Sequence, residues 1–142
     1  MTMQHPTREP ASDVNHIPLP GSSWSVRFTR GTRDRVALEV YHAGLLLDVL
    51  VAQPLAPDLL RGARRAVGGA GPSVLAWGHL PPDGIVPEVV LTRRRRADHS
   101  AEASVGAGAF WIALAHGCYD RVTATLRDGT NQRLRVRTGW TR

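Results

Sequence analysis

Alternation of apolar and polar side chains, broken every few residues by glycine or proline, most restricts what this chain can become. In SWSVRFTR, residues 23–30, Trp24, Val26 and Phe28 alternate with Ser25, Arg27 and Thr29. Side chains on a strand point to opposite faces in turn, so this pattern is a half-buried strand. RVALEVYH repeats it with Val36, Leu38 and Val40. A turn ending at Gly44 then leads into LLLDVLVA, where Leu45, Leu47, Val49 and Val51 share one face and Leu46 and Leu50 flank Asp48 on the other. Apolar cover on both faces predicts a central strand. A carboxylate in such a strand needs a partner, and an arginine from a neighbouring strand, Arg27 for example, is the expected one.

One segment changes period. In PDLLRGARRAVGG, Leu59, Leu60, Ala63 and Val67 recur at helical spacing, Pro57 and Asp58 suit a first turn, and Gly68-Gly69 suit a stop. The spacing predicts one short helix with Arg61, Arg64 and Arg65 on its outer face, weakened by Gly62 in its interior. GGAGPS, residues 68–73, lacks the Gly-Lys-Ser/Thr ending of a phosphate loop and reads as a helix stop followed by a turn.

Strands resume in SVLAWGHLP, VPEVVLTRRRR and ASVGAGAFWIALA, separated by breaks such as PPDG at residues 81–84. If Phe110, Ile112 and Leu114 form the core row, Trp111 faces outward. The succession WGHLPPDGIVPEVVL, SVGAGAFWIALA and YDRVTATLRDGTNQRL resembles the immunoglobulin-like and transthyretin-like sandwich modules of bacterial proteins, in which a glycine turn precedes an aromatic strand and a DG turn closes the last hairpin. The resemblance spans residues 74–138 and implies a fold, with no activity attached.

RVTATLRDGTNQRLRVR, residues 121–137, is that last hairpin. Pairing Leu126 with Leu134 and Ala124 with Val136 keeps one apolar face and leaves the three-residue connection Gly129-Thr130-Asn131, with Asn131 in the left-handed position. This register sets Arg127 opposite Arg133 and Thr125 opposite Arg135, with Arg121 and Arg137 nearer the open end. Like charges across a ladder repel. Water and salt, Asp120 and Asp128, or an anionic partner can each relieve the repulsion.

The charge is otherwise distinctive. All eighteen basic side chains are arginine, against twelve Asp plus Glu, for a net charge of +6. Guanidinium forks suit carboxylate and phosphate, although codon bias in a high-GC genome also favours arginine over lysine. Without lysine there is no Schiff base, no pyridoxal phosphate attachment, no P-loop lysine and no Ser-x-x-Lys hydrolase. No Gly-x-Ser-x-Gly elbow is present. His116-Gly117-Cys118, with His79 and His99 as distant partners, does not have the usual metal-ligand spacings. The run Arg93, Arg94, Arg95 and Arg96 at a strand end is the second basic feature. Base stacking beside it would need exposed aromatics such as Trp111 or Trp140.

These features predict a mainly β protein: an antiparallel β-sandwich, or partly open barrel, of about eight or nine short strands with one short helix. Residues 1–21, carrying Pro6, Pro10, Pro18 and Pro20, are expected to form a disordered arm, and residues 22–142 a single domain. A single cysteine, no secretory leader pattern and no apolar run long enough for a membrane helix predict a cytoplasmic protein. The expected function is a non-catalytic accessory or structural module that binds another protein or its own copies, without cofactor or metal. The alternative is a nucleic-acid or polyanion binder. The anion- or partner-binding candidates are Arg93, Arg94, Arg95, Arg96, Arg121, Arg127, Arg133, Arg135, Arg137 and Trp111.

Overall fold

The structure, a computed structural model, describes residues 16–53 and 58–138. They contain thirteen strands: β1 (His16–Pro18), β2 (Trp24–Arg30), β3 (Val36–His42), β4 (Leu45–Val51), β5 (Gly62–Gly68), β6 (Gly71–His79), β7 (Glu88–Thr92), β8 (His99–Ala101), β9 (Ala103–Gly106), β10 (Phe110–His116), β11 (Arg121–Thr125), β12 (Asn131–Arg135) and β13 (Arg137–Thr138). The sheets are β1-β2-β3-β4, β13-β5-β6-β10-β9 and β12-β11-β7-β8. All neighbours pair antiparallel except β13 with β5.

Two apolar clusters stack these sheets into three layers. Val74 and Ala76 of β6 and Trp111, Ala113 and Ala115 of β10 pack with Val89, Leu91, Val122 and Ala124 of the third sheet. On the opposite face, Leu75 and Trp77 of β6 and Phe110 and Ile112 of β10 pack with Trp24, Val26, Leu38, Val40 and Leu50 of the first. The nearly unbroken apolar runs of β6 and β10 follow from this, because a strand buried on both faces needs no polar alternation. The second and third sheets meet at two corners, where β8 passes into β9 across Glu102 and β12 into β13 across Val136.

The mainly β expectation holds, with antiparallel pairing at all but one edge, but the described residues form thirteen strands rather than eight or nine, no sheet closes into a barrel, and the predicted helix does not form. Residues 62–68 are a strand, with Ala63 opposite Ala76 and Arg65 opposite Val74. Residue 57 and the preceding three lie outside the described residues. Helical spacing loses to tertiary pairing here because β6 offers a long apolar partner edge. Gly62 is also required by β6: a Cβ there would lie 2.4 Å from the Trp77 ring. Gly68-Gly69 therefore ends a strand, and the hairpin turns at Gly69-Ala70.

LLLDVLV is an edge strand, where both-face cover predicted a central one. A register shift between Val40 and Tyr41 lets Leu46 pair with Tyr41 while Asp48 pairs with Val40, so Leu47 is an extra residue. The alternation is thereby broken, and Leu45, Leu46, Val49 and Val51 are exposed. The arm is expected to reach residue 21, but His16–Pro18 already pairs with β2. Pro18 is tolerated there because β1 is an edge. Residues 1–15 lie outside the described residues.

The last hairpin keeps its predicted face but not its register. Val122 pairs with Leu134, Thr123 with Arg133 and Arg121 with Arg135. The Leu126 N–H donates to the Thr130 carbonyl at 2.7 Å and the Gly129 N–H to the Leu126 carbonyl at 3.0 Å. The connection is therefore Arg127-Asp128-Gly129, with Gly129 at φ +92°. Glycine takes the left-handed position more readily than Asn131 does, so the DG pair sets the turn. The slip is an even number of residues, which leaves the paired residues of β11 and β12 on their expected faces, while Arg127 moves from opposite Arg133 into the turn and Arg137 pairs with Arg64 of β5.

Candidate functional site

Three strand ends and one hairpin strand place guanidinium groups around one cleft. Arg65 comes from β5, Arg93 and Arg94 follow β7, Arg121 opens β11, and Arg135 closes β12. With Thr92, Asp120 and Val136 they line a cavity of about 620 Å³. Arg121 is paired in register with both Thr92 and Arg135. The inward partners of these strands, Val122 and Ala124, are fully buried, so period two turns Arg121 and Arg135 to the outer face.

Asp120 is the acid of the cleft. Its Oδ2 accepts the Arg94 backbone N–H at 3.2 Å, and its Oδ1 lies 3.9 Å from Arg65 Nη1. The Asp120 N–H and carbonyl bond to Thr92 and Val136, which ties β7 to the β12–β13 corner. An ion pair this long and this exposed contributes little, so the cleft remains strongly positive. Arg93 lies 5.6 Å from the centre of the Tyr119 ring, and His99 stacks near that ring. Arg93 Nε is buried and has no hydrogen-bond partner among the described residues.

The cleft gathers four of the expected arginines, Arg93, Arg94, Arg121 and Arg135. Arg95 and Arg96 lie in the exposed turn beyond it, closed by the Arg96 N–H to Arg93 carbonyl bond at 3.0 Å. Arg133 is exposed opposite Thr123. Arg127 is at the other end of the sheet, on a cavity also lined by Glu88 and Glu102. Arg137 lines an adjoining cavity with Asp48, Arg61, Arg64 and Arg135.

Trp111 is not a surface anchor. It is fully buried, and its Nε1–H donates to the Leu59 carbonyl at 2.7 Å. β10 is covered on both faces, so its rows have no solvent side for an indole to reach. Arg65 was missed because a helical reading put it on an outer helix face, whereas strand alternation from Ala63 would have turned it toward the third sheet.

The other candidate groups serve structure. Asp48 does take an arginine, but from β5's approach: Arg61 Nε and Nη2 both lie 3.1 Å from its carboxylate, while Arg27 pairs with Glu39. Burial would raise the Asp48 carboxyl, but hydrogen bonds from Arg61 and Trp77, with the Arg61 charge, hold it below the usual carboxylate range. His79 accepts the Asp58 N–H on Nδ1, so its proton is on Nε2 and points to the Val51 carbonyl at 2.8 Å. That bond occupies part of the free edge of β4. Among the described residues no three His, Cys, Asp or Glu side chains converge as metal ligands, and no helix is long and apolar enough to cross a membrane. Comparison with protein-family models, curated proteins and solved structures finds no match.

Proposed function

We propose that the protein is a non-catalytic docking module that holds an acidic protein partner in the arginine cleft. One observation carries this reading: five arginines from four separate chain segments converge on one cavity that contains a single carboxylate. Guanidinium groups on rigid strand ends are pre-set forks for carboxylates, and little rotamer freedom remains to be lost on binding. The exposed, unpaired Cys118 suits a reducing, cytoplasmic compartment. A layered sandwich of the immunoglobulin-like kind would be a common scaffold for such docking.

A nucleic-acid reading has one observation in its favour. The cavity holding Arg61, Arg64 and Arg137 adjoins the cleft through the shared Arg135, so the basic surface is longer than one anion. Against it, Trp111 is buried and offers no stacking face. Fluorescence anisotropy with labelled polyglutamate and with oligothymidylate of equal charge separates the two. Polyglutamate should bind more tightly, and Arg121→Gln/Arg135→Gln should weaken it at least ~10-fold at low salt, because two of the five charges that attract a polyanion are lost. Tighter oligothymidylate binding supports the second reading. Polyglutamate retention unchanged in the double variant overturns the first.

A further inference from the structure

The third sheet is electrically polar along its strands. β7, β8, β11 and β12 all have one end near Thr92, His99, Arg121 and Arg135 and the other near Glu88, Ala101, Thr125 and Asn131. At the first end are Arg65, Arg93, Arg94, Arg95, Arg96, Arg121 and Arg135, against Asp98 and Asp120. At the second are Glu88, Glu102 and Asp128, against Arg127. A strand of this length spans roughly 15 Å, so the two ends are distinct surfaces rather than one mixed patch.

Neither end is neutralised internally. Within the described residues the ion pairs use Glu39, Asp34, Asp48, Asp58 and Asp120. Glu88 and Glu102 adjoin each other across β7 and β8, one step beyond the Val89–Ala101 pair, and flank an open cavity of about 560 Å³. Asp128 stands at the tip of the hairpin turn beside it, its Oδ1 accepting the Thr130 N–H.

Resting on the docking reading of the cleft, we infer that the acidic partner is a second copy of this chain, whose Glu88, Glu102 and Asp128 end seats on the arginine cleft. Complementary ends steer encounter and suppress like-end contacts. Because the two surfaces differ, the contact is heterologous: each copy keeps one end free for the next, and association proceeds to open chains or a ring rather than stopping at a two-fold dimer.

Sedimentation velocity on the full chain at ~0.02 M and ~0.5 M salt tests this, since exposed charges are screened several-fold more closely at the higher value. The wild type should form a concentration-dependent series at low salt and return to monomer at high salt. Arg121→Gln/Arg135→Gln leaves only the acidic end competent, and Glu88→Gln/Glu102→Gln only the basic end, so each alone should be monomeric. An equimolar mixture of the two should form dimers and go no further. All four side chains are exposed or at strand ends, and circular dichroism checks that both variants fold. A wild type that stays monomeric at low salt, or double variants that assemble as it does, overturns the inference. If the monomeric protein still binds polyglutamate through Arg121 and Arg135, the docking reading stands without it; if polyglutamate is not bound, both fall.

Discussion

The Trp77 indole N–H donates to Asp48 Oδ2 at 2.9 Å, joining the edge strand of the first sheet to a central strand of the second. Arg61 grips the same carboxylate through two nitrogens. Trp24 and Trp111 act alike: Trp24 Nε1 donates to Ser73 Oγ at 3.1 Å, and Trp111 to the Leu59 carbonyl. Each indole buries a large apolar body between layers and gives its one donor to a fixed acceptor. These three tryptophans hold layers together, so none of them is a surface anchor.

Asp48→Ala should therefore destabilise by about 2 kcal/mol, because the Trp77 N–H loses its acceptor in a buried setting. Asp48→Asn, which retains one acceptor oxygen, should cost less. The Asp48 carboxyl is held below its ordinary value of 3.8 in the folded protein. Its contribution is full above that value and is lost as pH falls through the folded pKa. Urea unfolding between neutral and strongly acidic pH should show a steeper acid loss in wild type than in Asp48→Asn; equal slopes would show that the carboxylate has no such role.

His42 predicts a second, higher window. Its ring is buried and meets Trp24 edge-on at 4.8 Å between centroids. Burial lowers its pKa from 6.5, a bond to the Val67 carbonyl offsetting part of the effect. The unfolded chain thus binds a proton that the folded chain refuses. Stability from this group is complete above about 6.5 and declines as pH falls toward the folded value. His42→Gln should flatten the stability profile between neutral and mildly acidic pH while leaving the lower Asp48 transition in place.

Gly78 permits the closest approach in the core. A Cβ there would lie 1.9 Å from the Leu59 carbonyl oxygen and 2.9 Å from Trp111 Nε1. Gly78→Ala should thus separate the Trp111–Leu59 hydrogen bond and cost about 3 kcal/mol, at the upper end for overpacking. Loss of near-ultraviolet dichroism at unchanged strand signal would report it. Trp111→Phe should cost about 1 kcal/mol, and polyglutamate binding should be unaltered in it, because the indole is nowhere on the surface.

What the sequence revealed follows from what its patterns encode. Period two assigned faces correctly in β2, β3 and the last hairpin, since burial of Val26, Leu38 and Val122 needs only parity. Parity cannot choose between registers that differ by an even step, so the Leu126–Leu134 pairing was as consistent as the actual Val122–Leu134. GARRAVG fits helix and strand templates equally; β6 decides between them. The extra residue Leu47 was invisible because it closes a run of three leucines, in which no polar side chain marks the parity before Asp48. Most of the cleft was legible: Arg93 and Arg94 follow the end of a recognised strand and Arg121 and Arg135 stand on the last hairpin, whereas Arg65 depends on a strand taken for a helix.

Arg121 and Arg135 face each other across β11 and β12, and their repulsion is a standing cost of the cleft. Arg135→Glu turns the opposed pair attractive. It should raise stability by a few tenths of a kcal/mol, ~1–2 °C in Tm, at low ionic strength, and salt should erase the gain because both side chains are exposed. The same substitution should weaken polyglutamate binding. A variant that is more stable yet binds less well would separate the two roles of this position, as expected where like charges are retained for a ligand. A destabilised Arg135→Glu at low salt would mean that the two guanidinium groups are not each other's principal neighbours.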